Sequence, residues 1–245
     1  MRVMRQFLTP LAICGLMLMA ACTSSAPTTR GEAKGAPMAP QELAQSDVNR
    51  MATLAMQGNI ESLLRIADKL YRRNPAEWRK TGLPTREAAL ARLRGAIDSG
   101  ARWPELGEKR DIAALSLALG PDFAGDRVAA FTYASADMLL AAHGGSRNFY
   151  LTDSLDAQHL YNAARNIEIA VWMLSNRRNA DGQPLLLADE ISGQGRNLSF
   201  EREFGKLIAR LDLLSAVLTE KYRRAVITYA QSLMGGMFLQ FLPVR

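Results

Sequence analysis

Polar side chains recur at helical spacing between residues 156 and 168. Asp156, His159, Asn162, Arg165 and Glu168 follow one another at intervals of three residues, so a helix would carry them along one stripe. His159 could act as a base beside these carboxylates and hydrogen-bond donors. The same spacing is typical of a solvated helix face, which we favour. A stripe buried in a bundle, where it would fix the register of the helices, is the third interpretation.

The other residue types that do chemistry are scarce. His143 precedes Gly144-Gly145, which indicates a structural histidine at a helix C-terminus, and its spacing from Asp137 matches no recognised metal site. The sequence contains no nucleophile elbow, zinc-protease motif, P-loop or dinucleotide-binding glycine pattern. We therefore predict a protein that is not an enzyme and that holds neither a metal nor another cofactor.

The first 22 residues have the organisation of an export signal. Arg2 and Arg5 give a positive start, residues 7–19 form a short and mostly apolar stretch, and two alanines precede Cys22. The apolar stretch is too short to span a bilayer comfortably. We expect residues 1–21 to be a cleaved signal peptide.

This segment resembles the bacterial lipoprotein signal, whose lipobox ends in a cysteine. Met19 stands where that family most often has leucine. The resemblance implies that Cys22 carries fatty acyl chains such as palmitate and becomes the first residue of the mature chain. Thr23 follows the cysteine in place of aspartate, which in this family implies transfer to the outer membrane, facing the periplasm. Ordinary cleavage beside an unmodified cysteine is the alternative.

The composition separates a tether from a folded domain. Residues 22–41 are rich in Ser, Thr, Ala, Pro and Gly and cannot bury enough apolar surface to fold, so we expect a lipidated, flexible tether. Residues 42–245 are expected to form the periplasmic domain. The formal net charge of +6 falls to +4 without Arg2 and Arg5, which is not typical of a nucleic-acid-binding protein.

Apolar residues recur at helical spacing across the domain and predict an all-α bundle of six or seven helices with a long C-terminal helix. Thr85, Asp126 and Ser154 are expected to cap helix N-termini. Between residues 179 and 195 the chain is expected to be irregular, with Leu185-Leu186-Leu187 lying across the core.

Residues 46–57 and 60–73 are predicted as two helices separated by Gly58-Asn59. The pair resembles one tetratricopeptide repeat at Gly58, Leu63, Ala67, Leu70 and Pro75. Leucines replace two of that family's small alanines, and no second copy follows at a period of about 34 residues. We therefore favour a plain helical hairpin in a bundle. The domain as a whole is similar to uncharacterised proteobacterial helical lipoproteins, a likeness that implies location without mechanism.

The predicted C-terminal helix begins at Ser199 and carries a coiled-coil-like seam. Its apolar residues alternate in steps of four and three: Phe200, Phe204, Leu207, Leu211, Leu214 and Leu218. The seam is either an internal packing line or the interface of a homodimer through Phe200–Leu218. Gly235-Gly236 is expected to end the helix. In the apolar tail that follows, Met237, Phe238 and Phe241 are candidate partner-binding residues. Docking of the tail on its own bundle is the interpretation we favour, and contact with lipid is the third.

These features favour a non-catalytic scaffold or adaptor that contacts the membrane through Cys22 and an envelope protein through its helical domain. One alternative is a protein that binds lipid or another apolar ligand, with a cavity near Leu185–Leu187 and the Asp126–His143 helix. The second alternative is an envelope enzyme, which would need His159 or His143 beside a carboxylate in a cleft.

Overall fold

The computed structural model describes residues 26–28, 31–33, 39–192 and 195–239. The predicted signal peptide, Cys22 and most of the predicted tether lie outside the described residues. The chain divides into two compact units, Met1–Leu43 and Ala44–Arg245. In the first unit, strands β1 (Ala26–Thr28) and β2 (Gly31–Ala33) pair antiparallel.

The second unit is an all-α bundle, as predicted. Its described residues form seven helices: α1 (Asp47–Arg73), α2 (Pro75–Arg79), α3 (Arg86–Ser99), α4 (Asp111–Ala118), α5 (Arg127–Ala142), α6 (Ala157–Asn176) and α7 (Ser199–Leu239). A short antiparallel hairpin of strands β3 (Glu190–Ser192) and β4 (Gly195–Asn197) precedes α7. Among the described helices, none has the length and hydropathy needed to cross a bilayer.

Side-chain caps mark the N-termini of several helices. Thr85 and Asp126 each accept a hydrogen bond from the backbone N–H three residues later, at 3.1 and 3.0 Å, so both predicted caps are confirmed. The predicted cap at Ser154 is wrong. Asp156 caps α6 instead, because its carboxylate accepts the backbone N–H groups two and three residues later at 2.7 and 3.1 Å.

The predicted break at Gly58 is also wrong, because α1 runs unbroken through it. Arg210 of α7 explains the glycine. Its Nη1 donates to the Gly58 carbonyl oxygen and to Ser62 Oγ, both at 3.1 Å. A Cβ at position 58 would lie 3.2 Å from the Arg210 Cζ. Glycine thus marks a close approach of two helices and not a turn, and the likeness to a tetratricopeptide repeat does not extend to the structure of this segment.

The core lies between α1, α5, α6 and α7, and α7 packs against both α1 and α6. All six residues of the predicted seam are at most 6% exposed within the single chain. The Phe204 ring meets Phe131 of α5 edge-on, with 6.4 Å between the ring centroids. The seam is therefore an internal packing line, and a homodimer through Phe200–Leu218 would require these side chains to leave the core.

Two further expectations concern the chain around and beyond the core. Leu186 is buried in the core as expected, whereas Leu187 is exposed. The predicted end of the last helix at Gly235-Gly236 is wrong, since α7 continues to Leu239. A glycine costs a helix only about 1 kcal/mol relative to alanine, which the continuing backbone hydrogen bonds can offset.

Candidate functional site

The predicted polar stripe lies on the solvent side of α6. Asp156, His159, Asn162 and Glu168 are exposed, and Arg165 is partly buried. The opposite side of α6 carries the residues that enter the core, among them Leu160, Ala164, Ile167 and Leu174. The stripe is therefore a solvated helix face, and the arrangement in which it is buried in the bundle does not apply.

The polar groups at the N-terminal end of the stripe make hydrogen bonds within α6 and its cap. The backbone N–H groups of His159 and Gln158 hold the pKa of Asp156 below its usual range, because they stabilise the charged carboxylate. Gln158 Nε2 also donates to Asn162 Oδ1 at 2.9 Å. The Asp156 carboxylate thus caps the helix.

Arg165 is the best-anchored residue of the stripe. Its Nη2 donates to both carboxylate oxygens of Asp212 on α7, at 2.9 and 2.8 Å, and its Nη1 lies 3.0 Å from Glu168 Oε1. The guanidinium also lies over the Tyr161 ring, 5.1 Å from the ring centroid. These contacts fix the charged group in one orientation at the surface.

His159 lies at the edge of a hollow between three helices. The hollow has a volume of about 310 Å³, and Asp111 of α4 and Met138 of α5 also line it. It is open to solvent, whereas acid–base catalysis gains from a site that excludes water. In the part of the chain that the structure describes, no group of three or more His, Cys, Asp or Glu residues could hold a metal ion.

His143 has the structural position that its sequence context predicts. The side chain is buried at the C-terminus of α5. Its Nδ1 lies 2.8 Å from the Leu139 carbonyl oxygen, and its ring lies against Phe149 with 5.7 Å between the ring centroids. Burial lowers the pKa of His143, so the neutral imidazole contacts this helix end.

A buried ionisable cluster, which the sequence did not reveal, joins α1 and α2 to the start of α5. The Tyr71 hydroxyl donates to Asp126 Oδ2 at 2.7 Å, and Glu77 Oε2 accepts the backbone N–H of Arg127 at 2.8 Å. Burial raises the pKa of both Tyr71 and Asp126. The cluster is enclosed by the fold, and its hydrogen bonds hold the N-terminus of α5 in place.

Large apolar side chains share the solvent side of α6 with the polar stripe. Trp172 is 60% exposed, Tyr161 47% and Ile169 40%. The helix turns by about 100° per residue. A sector of about 100° around its axis contains these three side chains together with those of Arg165 and Glu168. We call these five residues the outer face of α6. Sequence reasoning missed its apolar part, although the positions of Tyr161, Ile169 and Trp172 opposite the core-facing residues were readable from the helical spacing.

The predicted partner-binding tail cannot be placed on this surface. Met237 and Phe238 belong to α7 by their backbone, but their side chains lie outside the described residues, as does Phe241. Cys22, the predicted lipid attachment residue, lies outside them as well.

Comparison with protein families, with curated proteins and with solved structures finds no match for this chain. The outer face of α6 must therefore be interpreted from its own residues. It combines an exposed tryptophan, a tyrosine and an arginine whose orientation is already fixed, which is a composition suited to binding another protein.

Proposed function

We propose that the protein is a lipoprotein, anchored by acyl chains on Cys22 in the outer membrane and facing the periplasm. In this proposal it is a non-catalytic adaptor that holds an envelope protein partner on the outer face of α6. The observation that carries the proposal is the exposure of Trp172 beside Tyr161 and Ile169 on one side of a well-packed helix.

The composition of the outer face supports a protein partner. Tryptophan, tyrosine and arginine are the residue types that contribute most often to the binding energy of protein interfaces. Arg165 is already held by Asp212 and Glu168, so binding would cost little further side-chain entropy at this position. A partner that covers Trp172 would also remove a large apolar side chain from water.

The sequence at the N-terminus supports the anchor. The chain contains two cysteines: Cys14 would leave with the signal peptide, and Cys22 stands at the lipobox position. A lipidated Cys22 would keep the adaptor at the membrane.

The test is affinity purification of the tagged protein from crosslinked membranes, with three variants. We expect one envelope protein to copurify with the unchanged chain and to be lost with Cys22→Ala, which removes the attachment site. Trp172→Ala should weaken this association about 30-fold, the factor expected when an interface residue worth about 2 kcal/mol is truncated.

Leu54→Ala is the matched control, because Leu54 is an apolar residue of similar exposure, 49%, on α1. It should leave the association unchanged. Equal recovery of the partner with Trp172→Ala and with the unchanged chain would reject the outer face of α6 as the binding surface. Retention of the partner by Cys22→Ala would separate binding from the anchor and reject that part of the proposal.

A further inference from the structure

The second half of α7 extends beyond the core. Leu218 is the last seam residue that is buried. From Thr219 to Met234, every side chain that the structure describes is exposed. Four of these exposed side chains are large and apolar: Ile227, Tyr229, Leu233 and Met234. Four large exposed apolar side chains between Ile227 and Met234 are more than the scattered single apolar residues that a protein surface normally carries.

The charges on this half of the helix are collected at one end. Lys221, Arg223 and Arg224 follow one another near the core, and Glu220 pairs with Arg223 at 2.8 Å. We call the three basic residues the basic collar. From Ala225 to Leu239 the helix contains no Asp, Glu, Lys, Arg or His. A basic group that precedes an uncharged apolar segment complements anionic headgroups above hydrocarbon.

The arrangement of apolar residues argues against a second copy of the chain as the occupant. Beyond Leu218 the apolar residues that continue the seam are Tyr222, Val226, Tyr229 and Leu233, in steps of four, four, three and four. Ile227 and Met234 lie off this line on another side of the helix, so a coiled-coil interface along it would leave both uncovered. At about 100° per residue, the four exposed apolar side chains instead cover a sector of about 160°. A wide apolar sector without charged flanks fits lipid better than a narrow helical seam.

A hollow at the base of this half-helix has the same polarity. Its volume is about 730 Å³, and Val48, Val217 and Ala225 contribute apolar lining while Lys221 and Arg224 stand beside them. The carboxylate of Glu220, which also lines the hollow, is paired with Arg223. An acyl chain against the apolar lining would place its phosphate near the two cations.

We propose that the second half of α7 is a second membrane contact, in which the basic collar binds anionic phospholipid headgroups and the exposed apolar residues enter one leaflet. The 15 uncharged residues from Ala225 to Leu239 extend about 22 Å as a helix. This is too short to span the hydrocarbon core of about 30 Å. Because the exposed apolar residues occupy one sector of the helix, the segment would lie along the surface with that sector in one leaflet. The contact does not depend on the acylation of Cys22.

The test places an environment-sensitive dye on an introduced cysteine in the full chain, reconstituted in vesicles of phosphatidylethanolamine and phosphatidylglycerol. With Tyr229→Cys, nitroxide groups on the lipid acyl chains should quench the dye. With Tyr161→Cys, which replaces an exposed tyrosine of α6, they should not. Equal quenching at the two positions, or none at position 229, would overturn the proposal. The dye at position 229 could instead be shielded from water without vesicles, to a degree that depends on protein concentration. This result would identify a second copy of the chain as the occupant and would also overturn the proposal.

A paired charge change tests the basic collar. Lys221→Gln with Arg224→Gln should shift the equilibrium between docked and undocked helix about 30-fold toward undocked, because each cation at an anionic surface contributes about a fivefold factor. Lys109→Gln with Arg202→Gln removes the same charge from two other exposed positions and should have little effect. An equal loss with both pairs would overturn the role of the collar.

The chain without an introduced cysteine separates this proposal from the proposed anchor. If Cys22 is acylated and the signal removed, this chain takes up no dye. If this chain takes up dye, the proposed anchor is rejected, but the membrane contact is not. The signal of this chain is then subtracted from the signals at positions 229 and 161, and the remaining difference in quenching decides the membrane contact.

Discussion

Substituting Gly58 by alanine tests whether this glycine makes room for Arg210 or breaks a helix. Alanine is favoured over glycine inside a helix by about 0.5–1 kcal/mol. The added Cβ, however, would lie 3.2 Å from the Arg210 Cζ and Nε, so the guanidinium must move. Arg210 Nη1 donates to three acceptors on α1 at 3.1 to 3.2 Å, and the loss of two of these hydrogen bonds costs about 2 kcal/mol. We expect Gly58→Ala to lower the free energy of unfolding by about 1 kcal/mol.

The sign of the effect should reverse when Arg210 is absent. In an Arg210→Ala background the space beside position 58 is free, and Gly58→Ala should then raise the free energy of unfolding by about 0.5–1 kcal/mol. The two effects differ by about 1.5–2 kcal/mol, which is the coupling that a double-mutant cycle measures. Urea and thermal unfolding of the four chains give these values, with about 2–4 °C in Tm for each kcal/mol.

Gly95→Ala is the control for the helix preference alone. Gly95 lies inside α3, and a Cβ there would meet nothing within 4 Å, so alanine should stabilise the protein in both backgrounds. Equal stabilisation by Gly58→Ala with and without Arg210 would show that the guanidinium does not need the glycine. Equal destabilisation in both backgrounds would support a turn at Gly58 and refute an unbroken α1.

Three further substitutions test two buried side chains, Asp126 and His143, and the exposed helix cap Thr85. Burial raises the pKa of Asp126, so the folded state loses stability as the pH rises above about 3.9, the pKa of this carboxyl in the unfolded chain. Asp126→Asn should therefore gain stability relative to the unchanged chain as the pH rises from 4. A difference in Tm that stays constant with pH would contradict this. Burial lowers the pKa of His143, so the protein loses stability as the pH drops below about 6.5, the pKa of histidine in the unfolded chain. His143→Phe should remove this loss of stability at low pH, measured as Tm over a series of pH values. An unchanged pH profile of Tm would argue against a buried neutral imidazole. Thr85→Ala should cost about 1 kcal/mol through loss of the α3 cap, measured by urea unfolding, whereas Thr85→Ser should retain most of the stability because it keeps the accepting oxygen.

Local sequence signals predicted the elements of this fold well where they act through local hydrogen bonds. Thr85 and Asp126 cap the helices that they were expected to cap. Gly100, which follows α3, has the left-handed backbone, with a φ of 67°, that favours glycine at a helix end. These features depend on only a few neighbouring residues, so the sequence contains the information needed to predict them.

Contacts distant in sequence explain the errors. The need for a glycine at position 58 depends on Arg210, which is 152 residues away, and no local pattern reports that approach. The buried pair of Tyr71 and Asp126 is likewise separated by 55 residues. Both contacts arise only when the helices pack, and propensity alone cannot predict them.

The candidate site was predicted in part. The spacing of Asp156, His159 and Asn162 correctly indicated a solvated side of α6. The exposed Trp172 was missed because a large apolar residue is expected in the core, and a helical pattern does not show how far the neighbouring helices cover it. The sequence also does not show that Arg165 is held in place near this tryptophan, because the carboxylate that binds its guanidinium belongs to Asp212 of α7.

The most direct test of the proposed adaptor function is site-specific photocrosslinking from position 172 in intact cells. A photoreactive side chain in place of Trp172 should form a crosslink to one envelope protein, and the same side chain in place of Leu54 should not. If position 172 forms no protein crosslink, or forms the same crosslinks as position 54, the outer face of α6 does not hold a partner and the adaptor proposal is contradicted.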